Sequence, residues 1–152
     1  MDSVRPIVDM IDISQNLTEL KLSGTGLDVH SLYLIANALN QKQRIEVLDL
    51  SGLSSFDRNL GFADSNFQLQ NSVFKVVQIH TLTDLNLSGI QIQDVGIDTI
   101  IKALQPQRPS VAKLQTLRLN CCGLRDRALE KLTSLFQGSS QLKLRQLELR
   151  GN

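Results

Sequence analysis

The chain has 152 residues, 41% of them apolar, and its 16 Lys and Arg almost balance 15 Asp and Glu. Charges of both signs are interspersed, which gives neither nucleic-acid phosphates nor an anionic membrane an obvious target, and no apolar run approaches the roughly 20 residues needed to cross a bilayer. The only cysteines, Cys121 and Cys122, are adjacent and offer no disulfide framework.

The first six residues, Met1 to Pro6, lack the basic and apolar regions of a secretory signal, so the expected compartment is the cytoplasm or the nucleus. Val4, Ile7, Val8 and Ile11 are spaced as one helical face, with Pro6 acceptable in a first turn. Residues 1–16 therefore read as the helical half of a repeat.

A strand pattern L-x-x-L-x-L begins at Leu17 and runs through Leu20 and Leu22. Leu32, Ile35, Ala36 and Leu39 then form a core-facing helical stripe, with Asp28 as the candidate N-cap. The strand pattern returns at Ile45, Leu82, Leu114 and Leu144, at intervals of 28, 37, 32 and 30 residues. The long second interval predicts an insertion loop over 54–66, rich in Ser, Asp, Asn and Gly, followed by a weaker helical stripe of Leu69, Val73 and Val76. After Leu82 comes a clear helix from Gly96 to Leu104, with Asp94 as its candidate cap and Pro106 and Pro109 as its stop. The helix after Leu114 is expected to bury Leu129, Leu132 and Phe136.

Such a unit cannot bury its own apolar edge and needs stacked neighbours. The expectation is a single α/β solenoid domain over 1–152, with a parallel sheet on the concave face and helices on the convex face. A chain that opens inside a helix and closes after a strand reads as a segment of a longer solenoid, with exposed apolar ends that invite self-association.

The five L-x-x-L-x-L strands, the Asn or Cys at Cys122 and Asn152, and the run G-I-x-x-I-I-x-x-L from Gly96 resemble the leucine-rich repeats of ribonuclease-inhibitor type, whose repeats are roughly 28–29 residues long. Thr25, Leu53 and Ile90 depart from that pattern, standing where the family often has Asn or Cys. The resemblance implies a non-enzymatic module that binds a protein partner without a cofactor. Two alternatives remain: a GTPase activator similar to the Ran regulator, and purely structural spacer repeats.

Within each L-x-L the middle side chain points away from the core. Stacking predicts a row of Lys21, Asp49, Asn86, Arg118 and Glu148. It is flanked on one side by Glu19, Val47, Asp84, Thr116 and Gln146, and on the other by Ser23, Ser51, Ser88, Asn120 and Arg150. This is either a mixed-charge binding strip, with Glu19, Lys21, Asp49, Asp84, Asn86, Arg118, Glu148 and Arg150 as its contacts, or a solvated face with charges alternated to avoid repulsion. Phe56, Phe62 and Phe67 could form an aromatic clasp at the insertion. The favoured reading folds them back against the helix at 69–76, because exposed Phe costs about 25 cal/mol per Å² of apolar area. His30 and His80 have no Cys spacing that would make a zinc site, and no nucleophile elbow, P-loop or zinc-helix signature occurs. Asn16-Leu17-Thr18 and Asn86-Leu87-Ser88 match the glycosylation sequon, a chance match in a chain without a secretory signal.

Overall fold

A computed structural model describes residues 4–55, 59–105, 113–138 and 142–152. Strand and helix alternate along them: α1 (Arg5–Ile13), β1 (Glu19–Lys21), α2 (Val29–Lys42), β2 (Val47–Asp49), α3 (Phe62–Val77), β3 (Asp84–Asn86), α4 (Gln93–Leu104), β4 (Thr116–Arg118), α5 (Asp126–Gly138) and β5 (Gln146–Glu148). The strands form one parallel sheet in sequence order, with Leu20, Leu48, Leu85, Leu117 and Leu147 in register across it. Each helix packs on its sequence neighbours in a second layer, so this is the expected α/β leucine-rich-repeat solenoid.

The core lies between the layers. The inward leucines of the inner strands, among them Leu48, Leu50, Leu85, Leu87, Leu117 and Leu119, are fully buried. Every strand leaves the core through a turn of the same hand: Gly24, Gly52, Gly89 and Gly151 have positive φ, and Cys121 holds φ 54° at the equivalent place in its repeat. A non-glycine residue there carries the steric cost of Cβ against the following carbonyl.

The next position in the turn is filled differently from repeat to repeat. Leu53, Ile90 and Cys122 are buried, whereas Thr25 donates to its own repeat's Leu22 carbonyl at 2.8 Å. Asn152 is the one asparagine in this column. Its Oδ1 accepts from the Cys122 and Leu124 amides, and its Nδ2 donates to the carbonyls of Leu119 and Leu149. A polar ladder thus closes the last repeat, and apolar packing replaces it in the middle.

Several expectations are corrected. The insertion does not remain a loop to residue 66, because α3 begins at Phe62 behind Gly61 and adds Phe62 to Asn66 to the helix. Its polar residues suit a first turn: Asp64 complements the helix dipole there, and Ser65 is buried. Leu69, Val73 and Val76 are buried as expected. Asp28 does cap α2, accepting from the Ser31 amide at 2.8 Å. Asp94 does not cap α4, because the helix starts at Gln93 and the carboxylate instead accepts the Arg125 amide of the next repeat at 2.9 Å. On α5 the buried residues are Ala128 and Leu132, while Leu129 and Phe136 lie on the side turned away from α4 and remain exposed. Pro106 and Pro109 lie outside the described residues.

Gly96 has a packing reason. A Cβ there would sit 2.5 Å from the Cβ of Ile92, so the glycine lets α4 close against its own entry turn. Apolar surface is exposed at both ends of the stack, on Met10 and Ile13 of α1 and on Leu129 and Phe136 of α5. Among the described residues no helix is long and apolar enough to cross a membrane.

Candidate functional site

The three polar rows expected from alternation lie together on one sheet face. The strand register places Lys21, Asp49, Asn86, Arg118 and Glu148 side by side, and beside them Glu19, Val47, Asp84, Thr116 and Gln146. All ten side chains are half-buried or exposed, while between them Leu20, Leu48, Leu85 and Leu117 are buried and Leu147 is half-buried. Short strands fix this spacing, since neighbouring backbones in a sheet lie about 4.8 Å apart.

The charges on this face are unevenly engaged. Arg118 donates from Nη1 to Asp84 Oδ1 at 2.5 Å and from Nε to Glu148 Oε1 at 3.2 Å, bridging three strands. Glu148 also accepts from Asn120 Nδ2 at 2.9 Å and from Gln146 Nε2 at 2.8 Å. The Asn120 hydrogen bond, with that of Gln146 and the attraction of Arg118, holds the Glu148 carboxyl below its ordinary value. At the other end Lys21 pairs with Glu19 on its own strand. That hydrogen bond and charge raise the Lys21 ammonium above its ordinary value, with Asp49 and Asp84 adding to the attraction.

Between these clusters the face is less committed. Asp49 Oδ1 accepts the Ser51 amide and Asn86 Oδ1 the Ser88 amide, so both side chains brace their own turns. Ser51 and Ser23 hydroxyls meet at 2.9 Å, and Ser88 Oγ accepts the Asn120 amide. Among the described residues neither Asp49 nor Arg150 has a salt-bridge partner. The Arg150 amide, by contrast, is held by Asn120 Oδ1.

The aromatic residues of the insertion overturn the favoured fold-back reading. Phe62 is 77% exposed and Phe67 67% exposed, both on the solvent side of α3. The buried face of that helix is already filled by Leu69, Val73, Val76 and Val77, which leaves no room there for two more rings. Phe56 lies outside the described residues. Val95 at the start of α4, 50% exposed, joins Phe62 along a shallow cleft that also touches Ser55, Asn66 and Gln91. Sequence reasoning missed Val95, although its place off the Ile97, Ile100 and Leu104 stripe was a signal for it.

Cys122 points inward, with Sγ 3.3 Å from the Leu87 carbonyl, and burial pushes its thiol up to about 11. Cys121 is exposed. His30 lies in the first turn of α2, and His80 bonds to Gln43. Among the described residues no three His, Cys, Asp or Glu side chains converge as a metal site would require.

Residues 78–100 and 112–132 match the family model described as Leucine Rich repeat. Among solved structures the fold is similar to that of leiomodin-1 actin-binding site 2 (ABS2), with a TM-score of 0.69 and 16% identity, over 98% of this chain and 80% of that one. At that identity the likeness is one of fold. No curated protein sequence matches.

Proposed function

We propose that this leucine-rich-repeat chain is a non-catalytic interaction module, of the ribonuclease-inhibitor type, that binds a protein partner across its concave sheet face. The observation that carries the reading is the alignment of three polar rows on one open face. Such a surface offers charge pattern and hydrogen bonding over several repeats, and so sets specificity and on-rate. The seats for a partner are Asp49, Asn86 and Arg150, whose charged or amide groups are not already tied into cross-strand ion pairs. Glu19, Lys21, Asp84, Arg118 and Glu148 shape the surrounding field and hold the sheet face in place. Phe62 and Phe67 extend the contact to one side of the solenoid, since aromatic side chains, Phe among them, are enriched at protein interfaces relative to the rest of the surface.

The test is capture from a lysate with the wild-type chain, an Asp49→Asn/Arg150→Gln variant and a Phe62→Ser/Phe67→Ser variant, read by mass spectrometry. Proteins lost with the first variant and retained by one with a neutral change on the convex face are concave-face ligands. An identical catch from the wild type and both variants would remove the proposal.

A further inference from the structure

Helix α3 and the entry to α4 enclose a small cleft. Phe62, Asn66 and Leu69 fall at i, i+4 and i+7 on α3 and so share one face of it. Across from them stand Gln91, Gln93 and Val95, from the turn and first residues of α4. Leu69 is buried and forms the floor, while Phe62 and Val95 are exposed apolar walls. The volume is about 130 Å³, below the roughly 300 Å³ at which pockets for small molecules begin. A cavity of about 150 Å³ takes up a benzene ring, so this one is the size of a single side chain.

The polar groups around it are neutral. No charged side chain lines the cleft among the described residues, and Asp94, between Gln93 and Val95 in the chain, is taken by the Arg125 amide. An ion entering here would give up water and find no counter-charge. What the rim offers is amide chemistry. Gln91 is held by its Nε2, which donates to the Cys121 carbonyl at 2.9 Å, and Gly123 leaves the space that its Oε1 fills, since a Cβ there would lie 2.7 Å away. Among the described residues that Oε1 has no donor. Asn66 accepts from Gln70 at 3.3 Å and keeps its Nδ2 unused, and both ends of the Gln93 amide are free. Two acceptors and two donors around an apolar slot match the C=O and N–H groups that flank a residue in an extended peptide. Gln93 also holds φ 57°, a left-handed conformation that is costly for a non-glycine residue and is concentrated at binding sites.

We propose that this cleft binds a short, extended and uncharged stretch of a partner protein. One apolar side chain of that stretch, phenylalanine or leucine, sits between Phe62 and Val95, while Asn66, Gln91 and Gln93 hold the backbone on either side of it. None of these residues belongs to the polar rows, so the cleft stands or falls separately from the concave face.

Heteronuclear NMR of the isotope-labelled chain tests this with acetylated and amidated pentapeptides Gly-Ser-X-Ser-Gly, where X is Phe, Leu, Ala, Lys or Glu. The Phe and Leu peptides should shift the side-chain amide signals of Asn66, Gln91 and Gln93 and the methyl signals of Val95, saturating with dissociation constants on the order of 1 mM. The Ala, Lys and Glu peptides should bind at least about 10-fold more weakly. Phe62→Ser and Val95→Lys should each remove binding while the rest of the spectrum stays in place, and Val95→Ser replaces either variant that disturbs it. The absence of a saturable shift with every peptide overturns the proposal. So do equal affinities for the Phe and Lys peptides, shifts confined to the sheet face, or binding that survives both substitutions.

Discussion

Arg118 and Asp84 meet diagonally across the sheet: Arg118 stands opposite Asn86 and Asp84 opposite Thr116, yet their side chains close to 2.5 Å. The guanidinium therefore acts as an internal tie for the concave face, and its charge is spent within the protein. Replacing Arg118 by Met leaves the carboxylates of Asp84 and Glu148 without their common partner. For a pair this exposed the expected loss is about 1 kcal/mol. Lys21→Met, which removes an exposed pair within one strand, should leave the urea midpoint where it is. Equal effects from the two changes would mean that the three-strand bridge contributes nothing of its own.

Glu148 makes part of this stability pH-dependent. Its carboxyl is held below the ordinary value of 4.5 in the folded state. Its contribution is therefore complete above that value and lost as pH falls through the lowered folded value. Glu148→Gln should be less stable than the wild type at neutral pH, and the deficit should shrink below pH 4.5. Asp28, also lowered because the Ser31 hydrogen bonds outweigh its burial, adds acid sensitivity of the same sign that the Glu148 variant retains. Thermal melts of both proteins between pH 3 and 7 read this directly, and a deficit that stays constant would contradict it.

The leucine column should not be uniform in energy. Leu85 is fully buried between two neighbouring repeats, while Leu147 on the edge strand is only partly covered. Leu85→Ala is expected to cost roughly 2–5 kcal/mol. The same change at Leu147 should cost clearly less, because less apolar area leaves a buried setting. Denaturant titrations of the two variants would show the ratio, and equal losses would mean that the end repeat is covered in solution.

The paired cysteines should behave as opposites. Cys121 is exposed, and Cys122 is buried with its thiol pushed up to about 11. One thiol per chain should react with a thiol reagent in the folded protein at pH 8, and two in denaturant. Because Cys121 occupies a left-handed turn where the other repeats have glycine, Cys121→Gly should raise stability by about 1 kcal/mol. A loss on that change would point instead to the Sγ packing beside Gly151.

The fold was legible because one pattern recurs: inward leucines every second residue in a strand, then a helical stripe, repeated with little variation. The rows on the concave face followed from alternation alone, which is why Lys21 through Glu148 appear in the expected order. What sequence could not show is which of those charges spend themselves on one another. Arg118 looked like a free recognition group and is instead enclosed by two carboxylates contributed by different repeats. The insertion failed for a different reason. Ser, Asp and Asn are favoured both in loops and in the first turns of helices, and composition does not separate the two. Phe62 and Phe67 were expected to turn inward on the cost of exposing them, but the space they would fill is taken by Leu69, Val73 and their neighbours.

The changing turn column gives the solenoid a direction along which it fails. Leu53 and Ile90 seal the central turns with dry hydrocarbon, while the last turn depends on hydrogen bonds from Asn152, a side chain open to solvent. Water can compete for those bonds without first opening a core. Amides around Asn152 should therefore exchange before those around Leu53 and Ile90, whose turns are closed to water.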